Sequence, residues 1–230
     1  MINKIYHIAD VHIRNVKRHK EYRQVFRRLY SYIKKTKEEN DVIYIAGDIV
    51  HAKTDMSPEL IDLTSEFFSS LADLLPTIVI LGNHDCNLNN NFRLDALSPI
   101  VKAINHTNLH YLKDNGVYNI QGVHFNVLSV FDKPTDYIKA DDFEGDYKIA
   151  LHHGSVHNAS TDAGFVLSNT HVTTDMFTGH DLVLLGDIHK PQYLDTEKTV
   201  AYAGSLVQQN HGEILGHGIM VWDLETKKSK

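Results

Sequence analysis

Strand patterns alternate with helix patterns through the first 85 residues. Short runs of β-branched and apolar residues span 2–9, 41–46 and 77–81, and each predicts a buried strand. Between them, 19–39 and 57–75 carry apolar residues at the three-to-four-residue spacing of an amphipathic helix. Because strands that alternate with helices usually lie parallel in one sheet, this half of the chain predicts a parallel sheet covered by helices.

After residue 108 the pattern becomes mainly that of short strands. The predicted strands lie at 109–112, 117–120, 123–130, 148–151, 181–185, 199–203 and 218–224. Gln121-Gly122 predicts a hairpin turn, and the last two strands are predicted to pair antiparallel. The count fits an α/β fold in which two sheets pack face to face with helices outside. A length of 230 residues favours one domain spanning 1–230.

Five of the predicted strands end in side chains that divalent metals bind. In a parallel sheet, ligands collect at the carboxyl ends of the strands. The segments are Asp10-Val11-His12, Gly47-Asp48-Ile49-Val50-His51, Gly82-Asn83-His84-Asp85, His152-His153-Gly154 and Gly186-Asp187-Ile188-His189. Five such ends in one chain favour a two-metal phosphoesterase site assembled from distant segments.

Composition and charge indicate the partners and the compartment of the protein. The net charge of −6 gives no sign of a generally basic surface, although a carboxylate-rich site that binds cations would offset part of that charge. Cys86 is the only cysteine, which indicates a reducing compartment. Neither a membrane span nor a signal-peptide pattern is seen in the sequence, so we expect a soluble, cytoplasmic protein.

The residue types at these strand ends suit two cations. Aspartate, asparagine and histidine together offer the mixed oxygen and nitrogen ligands of manganese, iron or zinc. Asp10 and His12 stand two apart at a strand end, so they can share a metal only if the chain kinks out of the pleat. Asp48 can bridge two cations, and two metals about 3.5–4 Å apart can hold a hydroxide for in-line attack on phosphorus.

These segments resemble the blocks of the calcineurin-like metallophosphoesterase superfamily, from Asp10 to Leu224. Within it, the chain looks most like the DNA-repair nuclease branch, the SbcD-type nuclease subunit. His51, the aspartate that ends Gly82-Asn83-His84-Asp85, and 201–210 with the following Gly212-Glu213 carry that finer resemblance. The stretch 87–100 is similar to phage-encoded members. The resemblance implies a four-layer sandwich of two mixed β-sheets flanked by helices.

The resemblance also implies a role for each block residue. One cation would be held by Asp10, His12, Asp48 and His189, and the other by Asp48, Asn83, His153 and Asp187. His152 is the alternative to His153 as the lone histidine ligand. Asp187 stands where the superfamily usually has histidine; a carboxylate there either ligates as a harder donor or weakens one site.

Three further residues receive catalytic roles by the same resemblance. His84 would protonate the leaving oxygen, oriented by Asp85, and His51 would position the phosphate backbone.

The activity implied is that of a metal-dependent DNA exonuclease or endonuclease in repair or recombination. Two divalent cations are expected, Mn²⁺ first, with Mg²⁺, Fe²⁺ or Zn²⁺ as alternatives. The expected partners are DNA, an SbcC-type ATPase subunit and a second copy in a homodimer, with no membrane. The capping and ATPase-binding regions of the family are expected to be absent from 1–230. Two alternatives stay open: a phosphomonoesterase on the same metals, and a non-catalytic scaffold with a vestigial site.

Overall fold

The computed structural model describes residues 2–213 and 216–230. They form two six-stranded mixed sheets, which confirms the predicted α/β sandwich. In sheet order, the first sheet runs β12-β11-β1-β2-β3-β4 and the second runs β5-β6-β7-β8-β10-β9. Within the described residues, no helix is long and apolar enough to cross a membrane.

The first sheet contains the parallel half that the alternating pattern predicts. Its strands are β1 (Lys4–Ile8), β2 (Val42–Ile45), β3 (Thr77–Val79), β4 (Leu109–Tyr111), β11 (Met220–Asp223) and β12 (Lys228–Ser229). β1 to β4 are parallel neighbours, whereas β11 pairs antiparallel with both β1 and β12. Its helices are α1 (His19–Thr36), α2 (Pro58–Ala72) and α3 (Ser98–Ile104). The Ser57 hydroxyl caps α2 by accepting from the Leu60 backbone N–H at 3.3 Å.

The second sheet combines a parallel centre with antiparallel edges. Its strands are β5 (Gly116–Ile120), β6 (Val123–Leu128), β7 (Lys148–His153), β8 (Leu182–Gly186), β9 (Gln192–Tyr193) and β10 (Val200–Tyr202). β6, β7, β8 and β10 run parallel, while β5 and β9 close the edges antiparallel. Gln121 and Gly122 connect β5 to β6 with φ of 52° and 81°, so the predicted hairpin turn is confirmed.

The alternation of each strand divides the core into layers. Tyr6 and Ile8 of β1 pack with the helices, whereas Ile5 of the same strand packs between the two sheets. The far face of the second sheet is covered by 156–177, which contributes Val156 and Phe177 to a third cluster. The central layer fixes the distance between the sheets, so strand ends from both sheets come together at one edge.

One pairing prediction is wrong. The strands predicted at 199–203 and 218–224 were expected to form an antiparallel pair, but β10 lies between β8 and β9 in the second sheet, while β11 lies beside β1 in the first. The chain between them crosses from one sheet to the other, and the Leu206 backbone N–H donates to Ala9 O at 3.0 Å. Both strands are short, nearly continuous apolar runs, and such a run does not indicate which sheet its strand joins.

Candidate metal centre

The strand ends that carry the predicted ligands leave the pleat in the left-handed region. Asp10, His12 and Asp48 have φ of 49°, 48° and 52°, and Asp187 has φ of 100°. Residues other than glycine seldom adopt such values, so each position stores local strain that the surrounding structure must hold. The kink lets Asp10 and His12 turn toward one point, as the two-residue spacing required.

Glycines let these strand ends approach one another. A Cβ at Gly82 would lie 2.1 Å from Asp48 Oδ1, and one at Gly186 would lie 2.2 Å from Ala46 O. Neither neighbour can move away, because one is a buried site carboxylate and the other is backbone. The Asp187 backbone N–H then donates to both carboxylate oxygens of Asp10 at 3.1 and 3.2 Å, which joins the β1 and β8 ends directly.

The first set of donor atoms gathers around His12. One ligand atom each from Asp10, His12 and His189 lies within 4.8 Å of the others. His12 Nε2 is 3.1 Å from His189 Nε2 and 3.5 Å from Asp48 Oδ2. The structure therefore brings together all four residues expected to hold the first cation.

The second set gathers around His153. Its Nε2 lies 2.9 Å from Asn83 Oδ1, 3.4 Å from Asp48 Oδ1 and 3.9 Å from Asp187 Oδ1. Asp48 contributes one oxygen to each set, as a bridging carboxylate would. All four residues expected at the second cation are thus side by side, and Asp187 is among them.

The hydrogen bonds of these side chains leave lone pairs facing lone pairs. His153 Nδ1 is 2.6 Å from Ala46 O and can only donate there, so in the neutral ring Nε2 is unprotonated and points at oxygens. His189 Nδ1 likewise donates to Glu213 Oε1 at 2.8 Å, so its neutral Nε2 faces His12 Nε2. A cation between such atoms satisfies all of them, so the residues fit a two-metal site. If the Asn83 amide were rotated by 180°, its nitrogen would donate to His153 Nε2; with its oxygen inward, it presents a donor atom to a cation.

Burial and charge set the protonation of the cluster. Burial raises the pKa of Asp10 to about 7, and the nearby Asp48 adds to that rise. For Asp48, burial would raise the pKa, but the charge and hydrogen bond of His153 outweigh it and hold the pKa well below its usual range. Burial would lower the pKa of His153, yet Asp48 raises it well above the ordinary value. Without cations, Asp48 and His153 form a buried ion pair, and Asp10 holds a proton near neutral pH.

The strand direction separates His152 from His153. On β7, His153 shares a face with Ile149 and Leu151, which lie between the sheets, so it points into the donor set. His152 faces outward, where its Nδ1 donates to Leu128 O at 3.0 Å and its ring lies 5.6 Å from that of Tyr137. The structure places His153, the first choice, at the centre, and His152 behind it.

His84 and His51 form a pair at the mouth of the site. The His84 backbone N–H donates to Asp48 Oδ1 at 2.8 Å, and His84 Nδ1 donates to the His51 carbonyl at 2.6 Å. The two rings stack with centroids 5.7 Å apart, and nitrogens of both lie within 4.8 Å of one of His12. Nε2 of His84 is the atom left to transfer a proton beside the metal ligands.

The expected role of Asp85 needs correction. Asp85 was expected to orient His84, but its buried carboxylate accepts from the backbone N–H groups of Ile49, Val50 and Gly82 at 2.9–3.0 Å. It holds together the loops that carry Asp48 and Asn83, and the His51 carbonyl orients His84 instead. The cause is the tight turn at 82–85, in which the Asp85 backbone N–H donates to Gly82 O at 3.2 Å. Adjacent side chains in this turn point in different directions, so Asp85 points inward when His84 points out.

A sequence model of calcineurin-like phosphoesterases matches residues 3–200, most of the chain. The chain belongs to that family. It is therefore a member of the metallophosphoesterase family in which two groups of donor residues could hold a dimetal site.

Two further comparisons place the chain among known proteins. An uncharacterized protein of Acanthamoeba polyphaga mimivirus is 47% identical over 242 residues, and the aligned part is 100% of this chain. The chain spans only 18% of the length of that relative. The crystal structure of the Pseudomonas putida nuclease MPE is similar with a TM-score of 0.46 and 14% identity, over 94% of this chain and 82% of that one. A likeness at that level carries no information on the activity of this phosphoesterase.

Three residues at the phosphoesterase site were not assigned from sequence. Glu213 Oε1 accepts a hydrogen bond from His189 Nδ1 at 2.8 Å. The Ser155 hydroxyl donates to Asp187 Oδ2 at 2.7 Å, and Lys53 Nζ donates to Asn83 O at 3.0 Å. Ser155 lies two residues after His153 and Lys53 two residues after His51, so proximity to a block was the available signal. Glu213 had a signal of another kind, since Gly212-Glu213 follows the segment 201–210 that carries the finer resemblance.

A substitution of Asp187 tests whether this aspartate acts as a metal ligand at the position where the superfamily usually has histidine. Asp187→Ala is expected to leave one strong Mn²⁺ site and reduce the affinity of the second at least roughly tenfold, because that cation loses a charged donor. Isothermal titration of the metal-free protein with Mn²⁺ gives both affinities. Two sites of unchanged affinity would show that Asp187 does not ligate. Ser155→Ala is the control variant, since it removes the hydrogen bond that the Asp187 carboxylate accepts but keeps the carboxylate itself.

Mn²⁺ affinity is expected to fall as the pH drops below 7. A cation must displace the proton of Asp10, whose pKa is raised to about 7, and that of His153, whose pKa is also raised. Each displaced proton weakens apparent affinity by about tenfold per pH unit below the pKa of its group. Titrations at pH 5.5–8 in buffers of different ionisation enthalpy measure affinity and proton release together. Binding that releases no proton at pH 6.5 would contradict the protonation described above.

Proposed function

We propose that this phosphoesterase is a two-metal phosphodiesterase that cleaves DNA, of the SbcD-type branch, with a role in repair or recombination. The observation that carries the proposal is the shape around the metal centre, where a row of open cavities crosses the site. A substrate that is a chain of phosphodiesters needs such a groove on both sides of the reacting bond, whereas a small monoester does not.

The groove leaves the metal centre on two sides. On one side, a cavity of about 500 Å³ lined by Asn83, His153 and Asp187 continues into one of about 880 Å³. The larger cavity contains Lys133 and Lys139, which are exposed and placed to meet phosphates.

On the other side, the groove follows the loop after Asp10. A cavity of about 300 Å³ beside His189 shares the Asn210 wall with one of about 550 Å³. The second of these is lined by Arg14 and by Arg18, which is paired with Glu21 of the same wall at 2.7 Å. Lys133 and Lys139 at one end and Arg14 at the other therefore place positive charge where a phosphate backbone would lie.

The reaction follows from the residues in place. When bound, two divalent cations would neutralise charge on the phosphoryl oxygens and lower the pKa of an attacking water. His84 is the acid: in its doubly protonated ring Nδ1–H stays on the His51 carbonyl while Nε2 gives its proton to the leaving oxygen, which leaves the ring neutral. Burial and then the charge of Arg14 lower the pKa of His51, so its neutral ring can position a phosphate oxygen by hydrogen bonding. Asp85 keeps the two ligand loops at a fixed separation.

Mn²⁺ is proposed as the working metal. Three carboxylates and an amide oxygen accompany three imidazoles, a set harder than the nitrogen- or sulfur-rich sites of zinc. Equal activity with Zn²⁺ at matched occupancy would contradict this choice.

Two partners are proposed on the resemblance. An SbcC-type ATPase is the first, tested by co-purification with a candidate ATPase from the same genome. A second copy of the chain is the other, supported by Phe92 and Leu94, which are 98% and 77% exposed on one loop. A monomer in sedimentation at high concentration would contradict the homodimer.

The activity test compares substrates at saturating Mn²⁺. End-labelled DNA and bis(p-nitrophenyl) phosphate are expected to be cleaved far better than p-nitrophenyl phosphate. Cleavage of the monoester alone would favour a phosphomonoesterase, and full metal occupancy with no hydrolysis would favour the non-catalytic scaffold.

The groove has its own test within the same assay. The double variant Lys133→Ala and Lys139→Ala should raise KM for DNA and leave KM for the small diester unchanged. The slope of log affinity for DNA against log salt concentration should become shallower by roughly one per lysine. Equal effects on both substrates would show that these lysines do not contact DNA.

A further inference from the structure

The segment 204–213 crosses the metal centre and contacts both of the loops that carry the first donor set. The Ser205 backbone N–H donates to His189 O at 3.0 Å, and the Gln209 side chain donates to Val11 O at 3.2 Å, between Asp10 and His12. Gly204 is needed there, because it has φ of 76° and a Cβ would lie 2.7 Å from His189 O. The segment thus ties the β1 loop to the β8 loop.

Glu213 ends this segment with a carboxylate that is buried, since the residue is only 7% exposed. Oε1 accepts from His189 Nδ1 at 2.8 Å and from the Asn210 amide at 2.8 Å. Oε2 accepts from the Gln209 backbone N–H at 2.6 Å, and His217 Nε2 lies 3.5 Å away. A buried carboxylate with this many donors stays ionised, and its charge falls on the far side of the His189 ring.

The direction of the His189 bond matters for the metal. A carboxylate that accepts from Nδ1 fixes the tautomer in which Nε2 carries a lone pair, and that nitrogen is the one beside His12. It also makes the ring a stronger donor and prevents it from rotating. At the second cation, the histidine is His153, and its Nδ1 donates to the neutral Ala46 carbonyl instead of a carboxylate. The two sites differ in this respect.

We propose that Glu213 is a positioning residue for His189, which sets the tautomer and orientation of that ligand and thereby raises the affinity of the cation held by Asp10, His12, Asp48 and His189. The proposal rests on the proposed function in that the site holds two cations. It predicts an effect at one cation and none at the other, because the hydrogen bonds and ion pairs of Glu213 in the described chain go to His189, Gln209, Asn210 and His217 and to none of Asn83, His153 and Asp187.

The test is Mn²⁺ titration of the metal-free Glu213→Gln variant, in which glutamine can still accept from His189 but lacks the charge. One of the two affinities is expected to fall about 10–100-fold while the other is unchanged. Glu213→Asp should recover part of the loss. Imidazole ¹⁵N shifts in the metal-free protein give a second readout, and those of His189 should move toward a mixture of tautomers.

Two control variants separate this role from simple support of the loop. Asn210→Ala removes another partner of Glu213 and loosens the same loop, yet should keep both affinities close to wild type. Glu38→Gln makes the same chemical change at an exposed ion pair with Lys4. Equal losses in Asn210→Ala and Glu213→Gln, or unchanged affinities and ¹⁵N shifts in Glu213→Gln, would overturn the proposal. Failure of the wild type itself to bind two Mn²⁺ would overturn the proposed function instead.

Discussion

Asp48→Asn is expected to lower phosphodiester hydrolysis at least roughly 1,000-fold, because the shared carboxylate supports both donor sets and cation charge contributes several kcal/mol to such a transition state. Asp48 Oδ2 lies 3.5 Å from His12 Nε2, and Oδ1 lies 3.4 Å from His153 Nε2. Asparagine keeps the acceptor for the His84 backbone N–H but cannot bridge two cations. The variant should therefore fold and lose metal.

Two measurements make that loss specific. The upward shift of Tm on adding Mn²⁺ should shrink in Asp48→Asn, and titration should show both affinities reduced rather than one. Asp41→Asn is the matched control, because Asp41 is a buried aspartate at the opposite end of β2, bonded to backbone at Lys4 and Glu38. It should cost stability and leave kcat unchanged. Near-normal kcat in Asp48→Asn would exclude a bridging role.

The sequence predicted the architecture well where its pattern was local. The alternation through the first 85 residues predicted β1, α1, β2, α2 and β3, because each buries one clear face or run. The boundaries agree to within three residues, and the largest differences are at the ends of α1 and α2, since the ends of helices and strands fray. α3 was not predicted, because seven residues give too little periodicity.

Pairing and side-chain direction could not be predicted in the same way. β10 and β11 are both short apolar runs but join different sheets, and the contact of Leu206 with Ala9 of the first sheet shows how the chain after β10 leaves the second sheet. The order Ala150-Leu151-His152-His153 permits either histidine to face inward, because apolar residues lie on both faces of a strand buried on both sides. The choice follows from which face of the second sheet packs on the first: Ile149 and Leu151 lie between the sheets, whereas Ala150 lies on the far face.

At the metal centre, too, some features could be predicted from the sequence and others could not. That the expected ligands would lie together was predictable, because each follows a strand and the strand ends of an α/β sheet meet at one edge. The residues that hold them were not, because Glu213 and the Ala46 carbonyl act through folding contacts distant in sequence. Asp85 shows the limit most clearly, since its place beside His84 in the chain predicted a contact that the turn prevents.

His84→Gln is expected to slow cleavage of DNA by about 10²–10⁴-fold and cleavage of bis(p-nitrophenyl) phosphate by less than about tenfold. The reason is the leaving group: a sugar alkoxide needs a proton as its bond to phosphorus breaks, whereas p-nitrophenolate leaves without one. Glutamine retains a polar group at the site and its backbone N–H still donates to Asp48, so metal affinity should hold. Steady-state rates on both substrates at fixed Mn²⁺ measure the split.

The same pair of substrates separates acid chemistry from a role in metal binding. If His84 acted mainly by supporting Asp48, both substrates would slow together and Mn²⁺ affinity would fall. His110→Gln on β4 is the control, since it makes the same change at a half-buried histidine outside the donor sets. His51→Gln should differ from both, raising KM for DNA more than it lowers kcat, because the His51 carbonyl that orients His84 remains. An equal loss on the two substrates in His84→Gln would remove His84 from the acid role and leave the leaving oxygen to be protonated by solvent.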